Sequence, residues 1–218
     1  MNSNAVKFVQ QFLKKNREDL AETVLRSQKL FPAMEAIFEK QDLPKQLKYL
    51  AVVESDLKVK ARSNAGAIGY WQLMKETAIE LGLKVNGETD DRKHLWRSTN
   101  AAAKYLKALY KEYDDWLLVI AAYNSGPGTI NKAIKASGSR NFWRLQSYLP
   151  AETRGHVKRF IAIHYFFADA GSETTLTKAE RLIYEKEMDR YNKLLLEENR
   201  SIDSTTSQPQ IIKEEKFP

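Results

Sequence analysis

The chain has 218 residues, 43% of them hydrophobic, enough to bury one well-packed domain with some peripheral helix. Nine glycines and six prolines among recurrent Ala, Leu, Lys and Glu favour helix over a sandwich or barrel, so the fold is predicted to be all-α. The net charge of +7 favours an anionic partner such as nucleic acid, a membrane surface or an acidic cell-wall polymer.

Nucleic acid fits poorly. Lys and Arg are dispersed along the chain, and no zinc-finger spacing, glycine-rich phosphate loop or basic zipper occurs. With no cysteine, disulfides and thiolate metal sites are excluded, and His94, His156 and His164 form no clear ligand cluster, so neither metal nor cofactor is expected. No apolar run reaches the roughly 18 residues of a membrane span, and the N-terminus has no signal-peptide pattern. The expectation is a cytosolic protein or one whose export signal has been removed.

In residues 5–40, Val9, Phe12, Leu13, Leu20 and Leu25 stand among many charges, an amphipathic helical pattern that Phe31-Pro32 is expected to interrupt. Pro44 suits a first helical turn, and Leu47, Leu50 and Ala51 then mark one face that also carries Glu54. Residues 60–69 are small and polar and read as a loop, followed by a helix over 71–81 that closes at Gly82. Ser98 is placed to cap a helix whose Ala102, Tyr105, Leu106, Leu109 and Tyr113 keep the helical period.

Residues 116–123 are apolar on all sides, as in a buried central helix, and Asn124-Ser125-Gly126-Pro127-Gly128 must end it. A short helix over 130–136 precedes Phe142-Trp143. Pro150 then opens a helix that turns Val157, Phe160, Ile161, His164 and Phe167 inward. Thr177 and Glu180 form a capping-box pattern before a charged helix with Tyr184, Met188, Tyr191 and Leu195 on one stripe. Past Arg200 the composition predicts disorder.

Glu54 lies on an apolar helix face near the helix C-terminus, where desolvation and the helix dipole both disfavour a carboxylate. That makes it a candidate proton donor. By position alone, however, an acid that merely bonds backbone at a helix end is the better reading.

The following residues change that balance. Glu54-Ser55, then Ala61-Arg62-Ser63-Asn64-Ala65-Gly66-Ala67-Ile68-Gly69-Tyr70-Trp71-Gln72-Leu73-Met74, then Ala121-Ala122-Tyr123-Asn124-Ser125-Gly126, then Leu149-Pro150-Ala151-Glu152-Thr153-Arg154-Gly155-His156-Val157 resemble the four ordered blocks of the lysozyme-like domain of family-1 lytic transglycosylases. The resemblance runs from about Leu43 to Phe167 and is nearest the membrane-bound transglycosylase D group, although no wall-binding LysM repeat follows. It implies a goose-type-lysozyme-like catalytic domain over 43–170. A helical flank over 1–42, an amphipathic helix over 171–200 and a disordered tail over 201–218 complete the expected organisation.

By this resemblance Glu54 is the catalytic acid and base, and Ser63 orients the substrate's N-acetyl group or a hydroxyl, where a serine in such a loop is otherwise a turn residue. Gln72 and Met74 line the sugar groove, Gln72 with both a donor and an acceptor; the plain alternative for Met74 is core packing. Tyr123 places a phenol near the acid, and Asn124 ties down the adjoining turn. Tyr70 and Trp71 offer flat surface to a pyranose or serve the core. Glu152 borders the groove or is an ordinary first-turn acid.

His156 departs from the tyrosine usual at its place in the fourth block. An imidazole there can donate a hydrogen bond to the acid or carry charge near pH 6.5. The turn Thr89-Asp90-Asp91-Arg92 also resembles the family's, with Lys93-His94-Leu95 where Asp-Pro often follows, and reads as a packing variation.

Ordinary glycoside hydrolysis uses two carboxylates, and no obvious second one is present. Asp56, two residues on, would point away from Glu54 on a continued helix and is expected to bond the following loop. The resemblance therefore implies cleavage of the bond between N-acetylmuramic acid and N-acetylglucosamine in peptidoglycan. The substrate's acetamido group assists, its C6 hydroxyl attacks, and a 1,6-anhydro sugar is formed. Two alternatives stay open on the same fold: hydrolysis as in goose-type lysozymes, or a wall-binding or assembly protein without turnover. The implied place is the periplasm or the periplasmic face of the outer membrane, with possible attachment through a removed signal or lipid anchor.

Overall fold

In the first two helices, apolar residues at helical spacing among charges decide which side faces inward. The computed structural model describes residues 3–206, with side chains for these except Asn4 and 198–206. Helix α1 (Ser3–Lys15) buries Ala5 and Val9, and α2 (Arg17–Lys40) buries Leu20, Thr23, Ser27, Met34, Ile37 and Phe38. The break expected at Phe31-Pro32 is absent. The helix runs through Pro32, and the interruption falls at Asn16 instead. An internal proline costs about 3 kcal/mol, but the buried stripe resumes beyond it, and burying each large apolar side chain there returns about 1.5–3 kcal/mol.

Pro44 precedes a 3-10 turn (Lys45–Lys48) that leads into α3 (Tyr49–Ser55), with Glu54 in its last turn. The helix expected over 71–81 is reduced to α4 (Lys75–Glu80). Tertiary bonds claim the residues before it: the Trp71 indole donates to Thr99 Oγ1 at 2.9 Å, the Trp71 carbonyl accepts from Tyr123, and Gln72 is held at φ 45°.

Helix α5 (Leu95–Tyr113) begins before Ser98. Ser98 is therefore inside the helix rather than at its cap, and its hydroxyl donates to the His94 carbonyl at 2.9 Å. Helix α6 (Trp116–Ser125) is the expected buried axis, with Trp116 through Ala122 all enclosed. Asp115, which the sequence pattern did not single out, caps it by accepting from the Leu117 and Leu118 amides at 3.0 and 3.2 Å.

Gly126, at φ 79°, ends α6, and Pro127 opens α7 (Pro127–Ser137). After α8 (Phe142–Leu145), α9 (Ala151–Ala168) buries Val157, Phe160, Ile161 and His164 as expected, while Phe167 is half-buried. Helix α9 packs on α1, α3 and α6, α5 packs on α2 and α6, and α7 packs on α6. The acid on α3 and the fourth block on α9 are thereby made neighbours.

These elements form one compact unit ending at Lys178, and a second begins at Ala179. The latter holds nearly all of α10 (Lys178–Thr206), on which Tyr184, Met188, Tyr191 and Leu195 are exposed. The helix continues past Arg200 to Thr206, so the first residues of the expected tail are helical; the rest of that segment lies outside the described residues. Among the described residues there is no named strand, only isolated bridges, and no helix is long and apolar enough to cross a membrane.

Candidate active site

Two left-handed residues end the helix that carries the acid. Asp56 (φ 50°) caps α3, with its amide donating to the Val52 carbonyl at 2.8 Å, and Leu57 (φ 62°) turns the chain away. The Glu54 side chain, 13% exposed, is left facing α9, where its Oε1 lies 2.9 Å from His156 Nε2. His156 is 2% exposed, and its Nδ1 has no hydrogen-bond partner among the described residues. The Asp56 carboxylate turns to Lys58 at 3.5 Å, and its carbonyl accepts from Arg26 Nε at 2.8 Å. As expected, Asp56 serves the following loop.

The loop over 61–74 is fastened to the helices around it. Ser55 Oγ donates to the Tyr70 carbonyl at 2.9 Å, and Tyr123 donates to the Trp71 carbonyl at 2.7 Å. Gln72 Nε2 donates back to the Ala61 and Gly69 carbonyls at 3.1 and 3.0 Å. Beneath the loop, the buried Arg92 guanidinium donates to the Gly66 and Leu73 carbonyls, both at 3.2 Å, while Asp90 grips it on two sides at 2.8 and 2.9 Å. Arg92 holds the Asp90 carboxyl below the usual aspartate range, and Arg97 does the same for Asp91. The turn read from sequence as a packing variation is therefore the anchor of this loop. A Cβ at Gly69 would collide with the Arg92 carbonyl.

Of the residues singled out in the sequence, the structure unites Glu54, His156 and Tyr123. Burial pushes the Tyr123 phenol well above the ordinary tyrosine range, and the Glu54 charge adds to this. The Tyr123 ring lies tilted against Tyr105 at 5.5 Å. Asn124 joins them indirectly: its Oδ1 accepts from the hydroxyl of buried Thr153 at 2.9 Å, tying the end of α6 to the first turn of α9.

Ser63 accepts the Ala67 amide at 3.0 Å on its hydroxyl oxygen, so it is a turn residue with a hydroxyl proton still to give. Both amide donations found for Gln72 stay within the loop. Met74 is 39% exposed, against the core alternative. Trp71 is fully buried and offers no platform to a sugar, whereas Tyr70 is half-buried. Glu152 is exposed in the first turn of α9.

Sequence reasoning missed the tying roles of Ser55, Thr153 and Arg92. The first two stand inside the recognised blocks, and the adjacency of acids and a base in Asp90-Asp91-Arg92 was the available signal for the third. Among the described residues no group of three His, Cys, Asp or Glu side chains is set to hold a metal ion.

The arrangement offers one carboxyl group, partly open, beside an imidazole and a phenol. The family model described as the transglycosylase SLT domain matches residues 32–146, a span that stops short of the fourth block. The chain is 36% identical over 154 residues to the membrane-bound lytic murein transglycosylase D of Escherichia coli, covering 68% of this chain and 34% of that protein. It is 38% identical over 120 residues to the peptidoglycan transglycosylase gp16 of Escherichia phage T7, covering 54% of this chain and 9% of the relative. The chain thus spans about a third of the length of the transglycosylase D it matches. Among solved structures, the 70 kDa soluble lytic transglycosylase SLT70 from Escherichia coli superposes with a TM-score of 0.59 at 23% identity, over 68% of this chain and 26% of that one. At that identity the likeness establishes the lysozyme-like fold.

Proposed function

The chain belongs to the transglycosylase SLT domain family, and from that premise we propose that it is a peptidoglycan lytic transglycosylase in which Glu54 alone gives and takes the reacting proton. One observation carries the reading. The partly open Glu54 carboxyl is paired with His156 and its charge reaches the Tyr123 phenol, while the nearest acid in sequence, Asp56, is turned to Lys58 and Glu152 stands exposed on α9. Ordinary hydrolysis wants a second carboxylate across the scissile bond.

A single acid suffices where the substrate supplies the rest. Glu54 protonates the glycosidic oxygen as the bond to C1 of N-acetylmuramic acid breaks, and the acetamido oxygen stabilises the positive charge developing at C1. The Glu54 carboxylate then takes the proton of the C6 hydroxyl as O6 bonds to C1. The products are an N-acetylglucosamine end and a 1,6-anhydromuramic end, with no water consumed. Ser63, Met74, Asn124 and Glu152 are assigned to the groove that holds the strand, Asn124 through Thr153.

The substrate implies the bacterial envelope as the place of work, and the relative named a membrane-bound murein enzyme supports it. The net charge of +7 suits an acidic wall polymer. The test is mass analysis of products from purified wall. Ends lighter by one water than hydrolysis would leave, lost in Glu54→Gln, are expected; fully hydrated ends would identify a muramidase, and binding without cleavage a wall-binding protein.

A further inference from the structure

We propose that His156 carries its proton on Nε2 and donates it to Glu54 Oε1 as a standing hydrogen bond, which leaves Oε2 as the oxygen that exchanges the proton with substrate. His156 is then a positioning residue. The inference rests on the reading of Glu54 as the acid.

Three protonation patterns satisfy the 2.9 Å contact between His156 Nε2 and Glu54 Oε1. In the first, a carboxyl proton on Oε1 points at a bare Nε2, so a neutral ring must hold its own proton on Nδ1. In the second, the ring is doubly protonated and again has a proton on Nδ1. In the third, the proton is on Nε2 and Nδ1 is bare. The first two bury an N–H that finds no acceptor among the described residues, because Nδ1 is enclosed without a partner. A buried donor without an acceptor is penalised by its full desolvation, more so when charged, and orphaned N–H groups are rarer than under-satisfied acceptors. The third pattern leaves only a lone pair unmet.

The surroundings agree. The Tyr123 hydroxyl gives its proton to the Trp71 carbonyl at 2.7 Å, so the phenol does not compete to donate to Glu54. Tyr105, from α5, packs against the Tyr123 ring, and on α1 the lysines Lys7, Lys14 and Lys15 are exposed. Among the described residues, His156 is the hydrogen-bond partner of the Glu54 carboxyl.

The chemistry then divides between the two oxygens. Oε2–H protonates the leaving oxygen as the C1–O bond breaks, and Oε2 later takes the C6 hydroxyl proton as O6–C1 forms. Oε1 keeps the His156 bond throughout, and the imidazole proton never leaves Nε2. Rotation of the carboxyl group, which would swap the two oxygens between turnovers, is prevented.

The test has two arms. Nitrogen-15 NMR of the full chain, labelled at histidine and recorded at about pH 7.5, reads the tautomer directly, with the His156 signal assigned by its loss in His156→Gln. A protonated Nε2 with a bare Nδ1 is expected; a proton on Nδ1, alone or with one on Nε2, overturns the proposal. The second arm compares variants, since a glutamine amide reaches the place of Nε2 and an asparagine amide that of Nδ1. Anhydro-product formation by His156→Gln is expected to exceed that of His156→Asn by on the order of tenfold, the worth of one hydrogen bond to a charged group. Equal losses, or the reverse order, overturn it. A parent enzyme that yields no anhydro ends refutes the functional reading alone, and the nitrogen spectrum of that same unaltered chain still decides the tautomer.

Discussion

Tyr123 serves two needs with one side chain, and they can be separated. Its phenol lies within reach of the Glu54 charge, while its hydroxyl satisfies the Trp71 carbonyl within the loop. In Tyr123→Phe that carbonyl loses its donor, an expected cost of about 1–3 kcal/mol, visible as a lower denaturation midpoint together with slower turnover. Unchanged stability with slowed turnover would assign the hydroxyl to substrate instead. Glu54, Tyr123 and His156 were legible as residues because each stands in a recognisable block. Their nearness was legible only through the family resemblance, since Glu54 and His156 are 102 positions apart and no local pattern joins them; in the fold they touch because α3 packs on α9. Gln72 carries a related lesson, since its Nε2 donates within the loop: an amide states what it can bond, and the fold decides what it does bond.

At the scale of elements, the loop over 61–74 gives the sharpest contrast. Gly66 and Gly69 both sit at positive φ, 90° and 83°, but only Gly69 lies against the Arg92 carbonyl. Gly66→Ala therefore costs the left-handed penalty of about 1–2 kcal/mol. Gly69→Ala is expected to cost clearly more and to abolish activity, because the loop or Arg92 must move. Thermal melts of the two variants side by side check this, and equal shifts would mean that Arg92 yields easily. Helices were read well where apolar spacing dictated them, as in α6 and α9, and poorly where single residues stood in for context. Pro32 does not break α2 because burial on both sides of it outweighs one lost bond, and Ser98 lies within α5 because the helix already has a turn before it.

Taken as a whole, the molecule has a built-in acid limit outside the candidate site. His164 on α9 is 1% exposed, stands edge-on to Tyr49 at 5.1 Å and bonds Ser172 Oγ at 2.8 Å. Burial pushes its imidazole down to about 4. The unfolded chain, with histidine near 6.5, takes up this proton before the folded chain does. Its contribution to stability is therefore complete above about pH 6.5, drains away as pH falls toward 4, and changes no further below that. The full swing is up to about 3 kcal/mol. Denaturation at pH 7 and pH 4.5 measures the drop, and His164→Gln is expected to flatten it; a parallel drop in the variant would place the sensitivity elsewhere. Asp90 and Asp91, both held below the usual aspartate range, lose their share only at lower pH, so the two windows are separable.

The loop beneath the candidate site is held by its peptide oxygens: those of Ala61, Gly66, Gly69, Tyr70, Trp71 and Leu73 all accept side-chain hydrogen bonds. A segment gripped by its main chain is largely indifferent to its outward side chains. Asn64 and Ala65 are exposed along it and Arg62 is half-buried, and they are the positions where natural drift, or a laboratory library, is expected to change the surface while the loop keeps its shape.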